Sequence, residues 1–197
     1  SIIAVGANQN DENGNNSGHV RVFEDISGNW TQIGADIDGI SAENEFGTSV
    51  ALNSNGNIVA SGTLGYQDQG NVRVFENVSG SWNQIGNTIN GDNNYDYFGS
   101  SISLNSDGTI LAIGAFRHDQ NNPNNDGPGQ VKIYENISGT WTQLGSSIYG
   151  IDDYDEFGWS VSINDNGNIV AIGAKYNDEN GSNSGHVRVY ENINDNW

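Results

Sequence analysis

The sequence predicts an all-β protein: a β-propeller built of four-stranded antiparallel blades, with about three and a half blades present. Three observations predict it. One unit recurs in four correlated copies at a period near fifty residues, which points to blades or stacked units rather than one mixed core. Hairpin-forming residues stand at the same places in the copies, and helical periodicity nowhere outlasts a turn. Composition agrees. The 197 residues carry 25 Asp and Glu against 6 Lys and Arg, a net charge of -19, with no Cys. That balance argues against nucleic-acid binding and anionic membrane surfaces, and no apolar run is long enough for membrane insertion as a helix. The absence of Cys removes disulfides, thiol catalysis and zinc–thiolate sites.

Within a unit, strand A alternates small polar and aliphatic residues, as in Ser101-Ile102-Ser103-Leu104. Strand B is apolar throughout (Ile110-Leu111-Ala112-Ile113), as expected when both faces are covered. Strand C is the run Val20-Arg21-Val22-Phe23-Glu24, repeated from Val72, Val131 and Val187. Strand D opens at a Trp ten residues after that Val: Trp30, Trp82, Trp141 and Trp197. The A–B turns Asn55-Gly56, Asp107-Gly108 and Asn166-Gly167 tolerate the positive φ of a tight hairpin, and the C–D turns contain Ser-Gly. A β-solenoid is the competing architecture, but its coils are usually shorter and carry less hairpin chemistry.

The expected repeats are 1–39 (strands B to D), 40–91, 92–150 and 151–197 (strands A to C and the start of D). They sum to fourteen strands, where four closed blades need sixteen. Ile2, Ile3 and Val5 would then lie on an open edge. The expectation is that the remaining blades of the same chain, or a second copy, complete a seven-bladed propeller. Light scattering on the chain tests this.

Phe46-Gly47, Phe98-Gly99 and Phe157-Gly158 each stand sixteen residues after a Trp, and sixteen residues later an apolar run closes on Gly62, Gly114 or Gly173. This Phe-Gly…Gly-Ala pattern resembles the FG-GAP repeat of integrin-α-like propellers. The phrases Gly-His-Val-Arg-Val-Tyr-Glu and Trp-Thr-Gln-Leu-Gly resemble a subgroup found in secreted, multi-repeat bacterial surface proteins. The resemblance implies about seven blades, extracellular placement at a cell surface and a binding role. It departs from the family in lacking the Pro after Gly-Ala; Asn8, Leu64, Phe116 and Lys175 stand there. The family's calcium hairpin transfers poorly. Its third and fifth positions are Asn53 and Asn55, Asn105 and Asp107, and Asn164 and Asn166, too few carboxylates for calcium.

Only the B–C connection varies in length, the Gly-to-Val interval being 14, 10, 17 and 14 residues. In a meander the B–C loops and D–A connections emerge on one side, and that side carries sixteen of the 25 carboxylates. The candidate ligand-binding face comprises Asp11, Glu12, Tyr66, Asp68, Tyr95, Asp96, Asp119, Asp126, Tyr154, Asp155, Asp178 and Glu179, with Tyr97, Tyr149 and Trp159 as further stacking surfaces. Any one of these carboxylates is also explained by turn formation and solubility. Two loops, Asp11 to Asn15 and Asp178 to Ser182, alternate side-chain oxygens around a Gly. Asp11, Asn13, Asp178 and Asn180 are therefore the candidate metal ligands, with calcium as the cofactor they would take.

His19 and His186 share one repeat position with Asn71 and Gln130, so polar capping of a strand accounts for them. The strand C cations Arg21, Arg73, Lys132 and Arg188 are expected to pair with the strand C Glu. No asymmetric cluster of catalytic groups is legible, and the chain reads as not an enzyme. The expected function is an extracellular binding or adhesion propeller presenting its acidic face to a glycan or protein ligand. The alternatives are a structural spacer and the accessory propeller of a polysaccharide-degrading enzyme.

Overall fold

The computed structural model describes residues 1–64, 69–119 and 127–197, which form seventeen strands and no helix. The first sheet holds β1 (Ile2–Ala7), β2 (His19–Ile26), β3 (Asn29–Gln32) and β4 (Ile37–Asp38). The second holds β5 (Ser49–Leu52), β6 (Ile58–Gly62), β7 (Asn71–Val78), β8 (Ser81–Gln84) and β9 (Ile89–Asn90). The third holds β10 (Phe98–Leu104), β11 (Ile110–Ala115), β12 (Gln130–Ile137), β13 (Thr140–Gln143) and β14 (Ile148–Tyr149). The fourth holds β15 (Phe157–Ile163), β16 (Ile169–Ala174) and β17 (His186–Glu191). Each is an antiparallel meander, the blade expected from the repeat.

Strand D departs from expectation: it is split. β3 ends with Gln32 opposite Phe23, and β4 resumes with Ile37 opposite Val20, so residues 33–36 bulge against only Arg21 and Val22. The bulge presents a carbonyl to the next sheet. Trp82 Nε1 donates to Ile33 O at 2.8 Å, Trp141 Nε1 to Ile85 O at 3.1 Å, and Trp197 Nε1 to Leu144 O at 3.0 Å. The recurrent Trp is therefore a latch between sheets.

The core lies between sheets rather than within one. Phe46 and Val59 pack with Val20 and Val22 between the first two, Phe98 and Leu111 with Val72 and Val74 between the next two, and Phe157 and Val170 with Val131 and Ile133 between the last two. β11 is buried at all six positions, as predicted for strand B, whereas β1 and β16 each leave residues exposed. Ile3 and Val5 are 40% and 47% exposed, but Ile2 packs on the Gly56 turn of the second sheet.

The A–B hairpins are closed by their own amides. Asn105 is buried, and its Oδ1 accepts from the backbone N–H of Thr109 and of Ile110, each at 2.9 Å. Asn164 does the same in its hairpin, and Asn53 Oδ1 accepts from the backbone N–H of Ile58. The side chain thus serves the loop's own donors. Asn105→Ala strands two N–H groups and is expected to cost about 1–3 kcal/mol, read from the shift in urea midpoint.

The strand C cations do not pair with the strand C Glu. Arg21 and Glu24 are three residues apart, so they point to opposite faces of β2. Arg21 instead binds Asp36 in the bulge (2.6 Å), Lys132 binds Asp92 (2.6 Å) and Arg188 binds Glu179 (2.9 Å). Arg73 lies over the Phe46 ring at 4.1 Å and donates to Asp38 O at 2.7 Å, and its burial lowers the guanidinium pKa to about 10.

Candidate functional site

The length-variable loops and the D–A connections share one rim. Glu43 N donates to Asn15 O, Arg117 N to Asp96 O, Tyr154 N to Gly127 O and Tyr176 N to Asp155 O, so the first, third and fourth B–C loops are each tied to a D–A connection. The A–B turns line up at the other end, where Ser54 N donates to Ser106 O and Ser106 N to Asp165 O.

Along the rim the D–A connections hold paired residues in the left-handed backbone region: Glu43 and Glu45, Tyr95 and Tyr97, Tyr154 and Glu156, with φ between 50 and 69°. Non-glycine residues there carry strain of order 1 kcal/mol each and cluster at functional loops. Of these, Tyr95 and Tyr154 are also well exposed, at 49% and 59%.

The predicted acids divide into two sets. Asp96, Asp155 and Asp119 are buried, contrary to a role in facing a ligand. Asp96 Oδ2 lies 2.6 Å from His118 Nδ1, and Asp155 Oδ2 accepts from Asn177 Nδ2 at 2.6 Å. Both pairs join the loop entering strand A to the loop leaving strand B of one sheet. They are clamps, and burial is sustainable because each acid has a partner. Asp11, Glu12, Asp178 and Glu179 remain exposed; Tyr66, Asp68 and Asp126 lie outside the described residues.

At the rim of the fourth sheet one of the exposed acids, Asp178, meets two exposed tyrosines. Tyr154, Tyr176, Asp153, Asp178 and Asn183 line a depression of about 400 Å³ whose floor is Asp155. Beside it runs an aromatic row. Tyr97 stacks on Phe116 (5.1 Å, 17°), Phe116 meets Trp159 edge-on (4.8 Å), and Lys175 Nζ sits 2.9 Å from the Trp159 centroid. Arg117 covers Tyr97 at 5.0 Å, and Lys175 also pairs with Glu156 at 2.9 Å. Tyr97 is therefore committed to packing, while Trp159 and Tyr176 are each 44% exposed. Tyr149 lies against His118. Tyr176 is an addition to the face expected from the sequence; it stands where the first and third copies carry Gln9 and Arg117.

The candidate metal ligands are differently employed. Asp11 Oδ1 and Asp178 Oδ1 accept the backbone N–H of Asn16 (2.8 Å) and Asn183 (2.6 Å), and Asn13 Nδ2 donates to Gly39 O. These groups close their own loops, and Asn180 is exposed. The residue of the first loop that reaches other acids is Glu12. Its carboxylate, His19, Asp36 and Asp38 place ligand atoms within 4.8 Å of one another, the one such group of acids and imidazoles among the described residues. The Arg21 guanidinium, hydrogen-bonded to Asp36, holds that carboxyl below its usual range.

Comparison with known proteins matches this geometry to a family and a fold. The FG-GAP repeat model matches residues 82–131 and 151–190. No match emerges among curated protein sequences. Two solved structures, from Bacteroides uniformis and Bacteroides fragilis, are proteins ascribed 6-phosphogluconolactonase activity. They superpose with TM-scores of 0.57 and 0.58 at 17% and 16% identity over 89% of this chain. The chain spans 45% of the length of each, and at such identity the likeness concerns the fold alone. Sheets stacked face to face, a Phe-Gly seated at each junction and the two matched segments together show FG-GAP-type repeats arranged in a β-propeller fold.

Proposed function

We propose that the chain is a non-enzymatic, extracellular recognition module of a cell-surface protein that binds a glycan at the rim of its fourth sheet. The observation that carries this reading is the depression flanked by Tyr154 and Tyr176 and edged by Asp153, Asp178 and Asn183. Sugar rings offer an apolar C–H face that stacks on exposed aromatics, and hydroxyls that exchange hydrogen bonds with carboxylates and amides. Trp159 extends the stacking surface, and Tyr154 combines high exposure with a left-handed backbone. FG-GAP repeats commonly occur in extracellular proteins, which supports the placement.

The buried acid pairs favour binding over turnover. Asp96 is buried against His118, and Asp155, at the floor of the depression, is held by Asn177, so each acid is already engaged by a neighbour. The chain should therefore leave a phosphorylated sugar lactone unhydrolysed; turnover above a heat-denatured control would end the non-enzymatic reading.

A glycan array probed with the chain tests the binding. Tyr154→Ala and Tyr176→Ala are each expected to weaken the best glycan at least about tenfold, a loss of about 1.4 kcal/mol, with little change in melting temperature. A chain silent on both glycan and protein arrays would be the spacer instead. Binding only to proteins, unaffected by either variant, would move the ligand surface elsewhere.

A further inference from the structure

We infer that the first sheet carries a binding site for a divalent transition-metal cation, built by Glu12, His19, Asp36 and Asp38 and absent from the other complete sheets. It differs from the A–B hairpins, which lie at the opposite end of the sheets, and from the Asp11 and Asn13 groups, which close their own loop.

His19 is the observation that separates this cluster from ordinary surface acidity. Its residue is 5% exposed, and Nδ1 is buried with no hydrogen-bond partner. That nitrogen faces Glu12 Oε2 at 3.6 Å and Asp36 Oδ2 at 3.7 Å, too far for hydrogen bonds. Nitrogen and oxygen ligands at about 2.1 Å around a tetrahedral ion stand about 3.4 Å from each other. The gaps thus match a shared ion better than they match direct contact. Asp38 sits opposite His19 across the β2–β4 pairing, which brings its carboxylate to the same place.

The two nearby arginines do not replace the ion. Arg21 is engaged by Asp36 through Nε and Nη2 and stays 3.9 Å from Glu12, while Arg73 reaches Asp38 through the backbone carbonyl. An imidazole with three carboxylates suits zinc and its neighbours, whereas calcium takes oxygen ligands.

The repeat supplies internal controls. At the place of His19 stand Asn71 and Gln130; at the place of Asp38 stand Asn90 and Tyr149; at the place of Asp36 stand Thr88 and Ser147. Imidazole and acids are lost together. In the fourth sheet His186 and Glu179 return, 3.6 Å apart, but two groups alone are too few for a closed site.

Titration calorimetry of the chelator-treated chain with Zn²⁺, in a buffer that does not bind metal, tests this directly. One Zn²⁺ per chain is expected. His19→Gln and Asp38→Asn install side chains that the third and second sheets already tolerate, so folding should persist, and each should weaken binding at least about tenfold. His186→Gln should bind as the wild type does. Excess Ca²⁺ should not displace the ion, and Co²⁺ should give visible absorption bands that His19→Gln abolishes. No Zn²⁺ binding by the wild type, binding unchanged in His19→Gln, loss confined to His186→Gln, or displacement by Ca²⁺ would each overturn the site. None of these outcomes bears on the glycan rim, which shares no residue with it.

Discussion

Gly114→Ala is expected to lower the melting temperature by about 6–12 °C, while Gly173→Ala should barely move it. Both glycines close a strand B at the same repeat position, so the local cost of exchanging glycine for alanine in a strand is common to both. What differs is the neighbour. A Cβ on Gly114 would fall under 3.0 Å from the carbonyl oxygen of Gly158 in the next sheet and from Ser101 Oγ. That carbonyl cannot retreat. It accepts the Ser101 hydroxyl at 2.7 Å and belongs to the Phe157-Gly158 pair whose ring is buried at the junction. Separating two packed sheets to admit one methyl falls at the upper end of overpacking costs, about 3 kcal/mol. At Gly173 the nearest obstacle is Ser160 Oγ, which can rotate away, and the next backbone atom is 3.9 Å off. Denaturant midpoints for the two variants would read the difference. Equal shifts would mean that the Gly–Gly seat does not hold the third and fourth sheets together.

That seat was legible in the sequence because its parts keep constant spacing. Phe46, Phe98 and Phe157 are almost wholly buried, and Gly62 and Gly114, sixteen residues after the first two, lie where the following sheet's backbone touches. The loop face was legible for a related reason: only connections free of sheet packing could vary in length, and they are tied together at one rim. Side-chain partners were not legible. Asp96 and Asp153 look alike in a sequence, yet one is buried against His118 and the other edges the depression. Pairing across strands depends on which face each residue takes, and the split of strand D shifts Asp36 towards Arg21 by a bulge that the repeat marked only with Gly34, Gly86 and Gly145, all at positive φ. From the sequence His19 reads as polar capping, because its position is shared with Asn71 and Gln130; that its imidazole stands among Glu12, Asp36 and Asp38 emerges only from the fold.

Trp141→Ala should be as damaging as any single change in the chain. The indole is 3% exposed between the second and third sheets, its Nε1 donates to Ile85 O, and its backbone N–H is held by Asn87 Oδ1 at 3.0 Å. Truncation removes a large buried ring, a loss of about 3–5 kcal/mol, and leaves the Ile85 carbonyl without its donor. Trp141→Phe separates the two effects, keeping most of the volume and losing only the donor, for about 1–3 kcal/mol. The first copy is the control. Trp30 is 50% exposed and belongs to no such junction, so Trp30→Ala should stay within about 0.5 kcal/mol of the wild type. If the latch reading is right, the cost of removing a Trp follows the presence of a sheet in front of it rather than its place in the repeat. Similar losses at both positions would instead make the Trp a stabiliser of its own hairpin, and the bulge at residues 33–36 would need another explanation.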